Sequence, residues 1–197
     1  MPLSAALPGL FFCLTAAVLL TFVSVSAPTW DKISFLNAGS GSATVRFGVF
    51  GYTGTHARIG YRFNPSSLNF NDHVLHTPVF LNLTKTLILH PIAAGISGLA
   101  FFSGLCGALY HRAGTAVMAL LAALATIISL LAFLFDMVLF GIARRQFRKQ
   151  GIPSQYGSAG WLTLAAAVAI LLGFSTAAST FFSRYRNKTR NKSAVGF

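Results

Sequence analysis

The run TAVMALLAALATIISLLAFLFDMVLFGIA, residues 115–143, decides the fold. It exceeds the ~20 apolar residues a helix needs to cross a bilayer, and its only charge is Asp136. Working outward, comparable apolar runs lie near residues 8–27, 87–109 and 160–182. The reading is a mainly α membrane protein: four transmembrane helices in one domain, with a loop at 28–86, a tight turn near 110–114, a loop near 144–159 and a basic tail at 183–197. With 54% hydrophobic and 9% charged residues, the chain cannot clothe a soluble domain in charge. The first run is longer than the ~7–15 residues of a signal-peptide core, and no Lys or Arg precedes it, so it is expected to stay as helix one.

Fifteen Lys and Arg face three acids, Asp31, Asp72 and Asp136, for a formal charge of +12. The basic residues flank the apolar runs, as contacts with lipid headgroups require, and no base-stacking fold accompanies them. Nucleic acid is therefore not an expected partner. Counting charges does not orient the chain: the loops at 28–86 and 144–159 hold nine basic residues and the other face six. Arg184, Arg186, Lys188, Arg190 and Lys192 form a dense cluster just after the fourth run, suited to anionic lipid and to the inner face. Cys13 and Cys106 both fall in apolar runs, so they read as small buried side chains rather than a disulfide.

An acid in hydrocarbon must find a donor or stay protonated. Counted inward from one membrane face, His90 in the second run and Asp136 in the third reach similar depth. Asp136 is expected to face the bundle interior and bond either His90 or the backbone and hydroxyl groups near Pro91, where the proline frees a carbonyl. Pairs of small residues four apart, Ala94/Gly98, Ser103/Gly107, Ala119/Ala123 and Ala169/Gly173, suggest where helices approach closely. Trp30 and Trp161 are placed at the outer interface as anchors.

In the large loop, Ile33–Leu36 and Thr44–Tyr52 read as strands joined by Gly39-Ser-Gly-Ser42, with Ile59–Phe63 continuing the sheet. An isolated hairpin is marginal, so this sheet should pack on the helix ends. Its core and partner surface are assigned to Phe47, Phe50, Tyr52 and Tyr61. His56, His73 and His76 titrate near neutrality and are the candidate pH-responsive groups. His73 and His76 have metal-ligand spacing, but Asp72 is the sole nearby acid, and no metal or cofactor is expected.

Phe47-Gly-Val-Phe-Gly-Tyr52, Ile59-Gly-Tyr61, the run Leu83-Thr-Lys-Thr-Leu-Ile-Leu-His-Pro-Ile-Ala-Ala-Gly95 and Tyr156-Gly-Ser-Ala-Gly-Trp-Leu-Thr-Leu-Ala-Ala166 together resemble the fungal PalI family of pH-response regulators. The wider group includes eisosome-associated fungal membrane proteins and is claudin-like in layout. The resemblance implies a plasma-membrane protein with cytoplasmic termini and an extracellular first loop. It further implies a non-enzymatic helper of ambient pH signalling that assists a seven-helix pH sensor. The family's usual loop cysteines are replaced here by Thr53 and His56-Ala-Arg58, and its long tail by a short one.

Catalysis has no support, for the chain shows no Ser-His-Asp set, phosphate loop, HExxH or paired carboxylates. The expected partners are lipid, another integral membrane protein and a second copy of the chain. The competing roles are a structural organiser of membrane domains and a claudin-like auxiliary subunit of a channel.

Overall fold

The computed structural model describes residues 7–41, 44–63, 75, 77–109 and 112–194. Four of its helices are long and apolar enough to cross a membrane. Helix α1 spans Leu7–Ser24, α2 Pro78–Lys85, α3 Leu89–Leu109, α4 Arg112–Lys149 and α5 Ser158–Ala194. A 3-10 turn, Thr86–Ile88, joins α2 to α3, so the second span runs Pro78–Ala108 and starts earlier than residue 87. In cyclic order α1 packs on α3, α3 on α4, α4 on α5 and α5 on α1.

The helices meet along seams of small side chains. Cys13, Ala16, Ala93, Ala100, Ala122, Ala125 and Ala166 are fully buried, while Phe11, Phe102 and Leu120 on the outer faces are exposed, as lipid-facing residues should be. Of the four small-residue pairs, Ser103/Gly107 and Ala169/Gly173 mark real crossings. A Cβ on Gly107 would stand 2.6 Å from the Thr115 nitrogen, and one on Gly173 3.2 Å from Cys13 Sγ. The other two pairs miss by one position: the buried seams run through Ala93 and Ser97 and through Met118 and Ala122. Gly98 has open space beside it. Cys106 is likewise a correction, because it faces outward rather than inward.

At the end where α1 and α4 finish and α3 and α5 begin sits a three-stranded antiparallel sheet. Its strands are β1 Leu36–Ala38, β2 Val45–Phe47 and β3 Ser154–Tyr156, in the order β2-β1-β3. Leu36 pairs with both Phe47 and Tyr156. Strand β2 falls inside the expected Thr44–Tyr52, whereas β1 shares only Leu36 with Ile33–Leu36 and runs on to the glycine turn, and the third strand lies outside the large loop. It comes from the loop between α4 and α5, whereas Ile59–Phe63 stays irregular. Gly60 turns the chain there at φ +76°, and Tyr61 gives its N–H to Thr84 Oγ1 on α2 at 3.1 Å instead of to a strand.

Helix α4 runs past residue 143 to Lys149 and stops for a local reason. Gly151 adopts φ +76°, its N–H bonds the Arg148 carbonyl at 3.1 Å, and the Ile152 N–H bonds the Phe147 carbonyl at 3.0 Å. This pattern closes a helix at glycine, and Pro153 then prevents its resumption. The overrun carries Phe147 into the sheet core.

That core is aromatic. Phe47 stacks on Phe63 at 4.7 Å and touches Tyr52, Tyr61 and Phe147. Phe35 stacks face to face on Phe140 at 4.9 Å. Phe47 and Tyr61 are buried, and Phe50 and Tyr52 pack at the edge. Burial first, and nearby Asp136 second, hold the Tyr61 phenol well above its ordinary range, while its O–H donates to the Gly48 carbonyl at 2.8 Å.

Backbone contact fastens the sheet to the bundle. The Gly157 N–H donates to the Phe35 carbonyl at 2.8 Å and the Ala159 N–H to the Ser34 carbonyl at 3.0 Å. A Cβ on Gly157 would overlap the Ser34 carbonyl, and one on Gly48 the Ala27 backbone. Gly157→Ala should therefore destabilise the protein by about 1–3 kcal/mol, read as a lowered thermal midpoint in mild detergent. An unchanged midpoint would show that this approach is not tight.

The Tyr61 phenol gives a second test. A neutral acid with a raised folded pKa stabilises the fold below the unfolded value of about 10, and that contribution is lost as pH rises above it. Tyr61→Phe should lower stability at neutral pH by about 1 kcal/mol, because the Gly48 carbonyl loses its donor, and should flatten the decline in strong alkali, measured by unfolding across that range. An identical alkaline decline in both proteins would refute the assignment.

Candidate functional site

The polar centre of the molecule is built from three spans. His90, in the first turn of α3, is fully buried; Asp136 of α4 is 1% exposed; Thr163 of α5 is fully buried. His90 Nε2 lies 3.0 Å from Asp136 Oδ2, and Thr163 Oγ1 is 3.4 Å from the same nitrogen.

Local sequence sets the histidine's orientation. Pro91 has no N–H, so the Leu87 carbonyl four residues earlier loses its helical donor. His90 Nδ1 lies 3.0 Å from that oxygen and supplies the missing hydrogen. A carbonyl only accepts, so Nδ1 carries a proton and Nε2 faces the acid. One further proton lies between Nε2 and Oδ2. On the ring it makes an imidazolium–carboxylate pair, and on the acid two neutral groups. Either way the pair has no net charge, which suits a site surrounded by hydrocarbon.

Thr163 donates its hydroxyl proton to the Ala159 carbonyl at 3.0 Å and so turns a lone pair toward Nε2. Phe35 sets its ring edge against His90 at 5.4 Å, joining the pair to the sheet core. Asp136 Oδ1 has no hydrogen-bond partner among the described residues. Asp136 is among the residues that line a groove of about 350 Å³ between α4 and α5, whose other side chains are almost wholly apolar.

The remaining candidates are spread over the molecule. His56 is exposed on a broad depression of about 720 Å³ that also holds Arg58 and Arg62. His73 and His76 lie outside the described residues. Trp30 is exposed against Phe22 at the end of α1, and Trp161, 72% exposed, stands on the rim of the groove. The backbone from Arg184 through Lys192 continues α5 as helix. Thr53, where the family resemblance expects a cysteine, bonds Asp31 Oδ1 at 3.1 Å and the Arg46 carbonyl at 3.0 Å through its N–H.

Four spans of this length, a small sheet on one end and the matched stretch agree with one assignment: a sequence model of the SUR7/PalI family covers residues 5–173. The chain belongs to the SUR7/PalI family. It is accordingly a membrane protein with a claudin-like layout. No curated protein matches the chain. In this family member, sequence reasoning did not single out Thr163, Phe35, Phe63, Phe140 or Phe147. The first two required knowing that α5 and the β1 edge both meet His90.

Asp136→Leu strands His90 Nε2, and a buried group left without its partner costs about 1–3 kcal/mol. Adding His90→Phe should cost less than the sum of the two single losses, because it removes the stranded ring nitrogen and frees only the Leu87 carbonyl. Thermal midpoints of the two single variants and the double variant, in one detergent, give the coupling. Strictly additive losses would mean the two side chains do not bond.

Proposed function

We propose that this protein is a non-enzymatic regulator of ambient pH signalling in the plasma membrane of a fungal cell. It would act as a single membrane domain that assists the assembly, stability or placement of a seven-helix pH sensor. The match to the SUR7/PalI family, running from before α1 into the fourth span, carries this reading. In this reading the sheet lies outside the cell and both chain ends lie in the cytoplasm.

In this arrangement the sheet end is a rigid platform for contact. Its aromatic side chains are spent on internal packing, and the depression with His56, Arg58 and Arg62 is the exposed, positively charged part. His56 on that face is the candidate pH-responsive group of this reading, and His73 and His76 are the loop's other two histidines. Trp30 and Trp161 hold the sheet at the interface. The basic residues from Arg184 to Lys192 lie on anionic lipid at ~1 kcal/mol for each residue near the surface.

Pull-down of the tagged protein in mild detergent, at acidic and at alkaline pH, tests the reading. A seven-helix membrane protein should copurify, with a pH-dependent yield that becomes flat in a His56, His73 and His76 triple alanine variant. Recovery only of abundant scaffolds of membrane domains, at both pH values, would replace this role with that of a structural organiser. Altered gating of a copurified channel would point instead to an auxiliary subunit.

A further inference from the structure

We propose that the groove between α4 and α5 is a binding site for an uncharged membrane amphiphile whose hydroxyl donates a hydrogen bond to Asp136 Oδ1. The inference rests on geometry alone and does not depend on the signalling role.

The first observation is an unmet acceptor. Because the His90 Nδ1 proton is committed to Leu87 and the shared proton lies between Nε2 and Oδ2, Oδ1 can only accept. It is buried, lacks a partner among the described residues, and belongs to a side chain that lines the groove. Such an atom costs free energy until a donor arrives. A lone water fits poorly. It needs two to four polar partners, and the groove surrounds it with rings and aliphatic chains such as Phe35, Phe133, Phe140 and Leu164.

Depth is the second observation. Asp136 is level with Thr163, five residues after the start of α5, which is about 8 Å inside the sheet end of the span. Trp161 stands beside it at the rim, as interfacial tryptophans do. The neutral polar groups of membrane lipids lie at this boundary. A charged headgroup would have to leave water to reach Oδ1, at several kcal/mol.

Shape is the third. Gly160 contributes no side chain, and a Cβ there would meet only Met137 Cε, so the wall formed by the start of α5 is open. A second apolar depression of about 460 Å³ shares Trp161 and Leu164 and continues along α5 to Leu172. An apolar body of rings or acyl chain can therefore follow the helix while its hydroxyl turns inward. Sterols and diacylglycerols both present this chemistry.

The full chain, purified in mild detergent, can be exposed to a photoreactive sterol, to a photoreactive diacylglycerol, and to the O-methyl ether of each. Gly160→Leu serves as the blocking variant. A Cβ at that position meets only Met137 Cε, at 3.6 Å, so the added side chain fills the groove and leaves His90 and Asp136 paired. The expected result is label concentrated in residues 133–137 and 156–164. It should fall about fivefold for the methyl ethers and in Gly160→Leu, the loss of roughly one neutral hydrogen bond. Whichever parent probe gives that pattern names the lipid source. Equal labelling by ether and alcohol, label spread over all four spans, no label from either probe, or label unchanged in Gly160→Leu would each overturn the proposal.

Discussion

A carboxyl group inside hydrocarbon has to be neutralised where it stands, and much of this molecule is arranged around that demand at Asp136. The partner is an imidazole whose orientation is fixed by a proline one residue on. Pro91 strips the Leu87 carbonyl of its helical donor, His90 Nδ1 replaces it, and Nε2 is thereby aimed at the acid. Three spans are tied at one depth in this way, since Thr163 brings α5 to the same nitrogen. A bond across a membrane bundle is worth only about 0.6–2 kcal/mol. Its larger consequence is register, because sliding α4 by one residue against α3 would strand both groups.

The sheet is secured by different means. Strand β1 is central and takes hydrogen bonds from both sides, so neither of the two loops that supply its neighbours can detach without exposing backbone groups. Close backbone approach at Gly48 and Gly157 then presses the sheet onto the helix ends. Beneath it, Phe47 collects Phe63, Tyr61, Tyr52 and Phe147 from three separate segments. Together with the bonds of Thr53 to Asp31 and Arg46, this packing performs the work that a disulfide performs in other small exposed sheets.

How far the sequence reveals this differs by element. The spans are legible because hydrocarbon imposes length and composition on every residue in them. The acid and its depth-matched histidine are legible because an ionisable group is costly there. Strand β3 is not. Ser154-Gln-Tyr156 has no alternation of its own and becomes a strand only because β1 offers it an edge. Conversely, Ile59–Phe63 has strand composition, yet at its centre Thr84 takes both the N–H and the carbonyl of Tyr61, the groups a neighbouring strand would use. The helix seams were displaced by one position for a related reason. Spacing four identifies a face, but the packing of neighbours chooses which adjacent face is buried, as Ala93 rather than Ala94 shows.

The pair at the centre is better suited to coupling than to proton transfer. A relay needs a donor or acceptor beyond each end, and here the imidazole end is closed: the Nδ1 proton ends at a backbone carbonyl, and the Thr163 proton goes to another. What remains open is mechanical. Phe35 lines the groove together with Asp136, sets its edge on His90, stacks on Phe140 and follows directly on Ser34, whose carbonyl receives the Ala159 N–H. A body seated in the groove would press on that ring, and that ring is one residue from the central strand of the sheet. The groove and the sheet therefore share side chains, Phe35 and Phe140 in the core and Tyr156 in β3, so a body in the groove would bear on the sheet without any charge crossing between them.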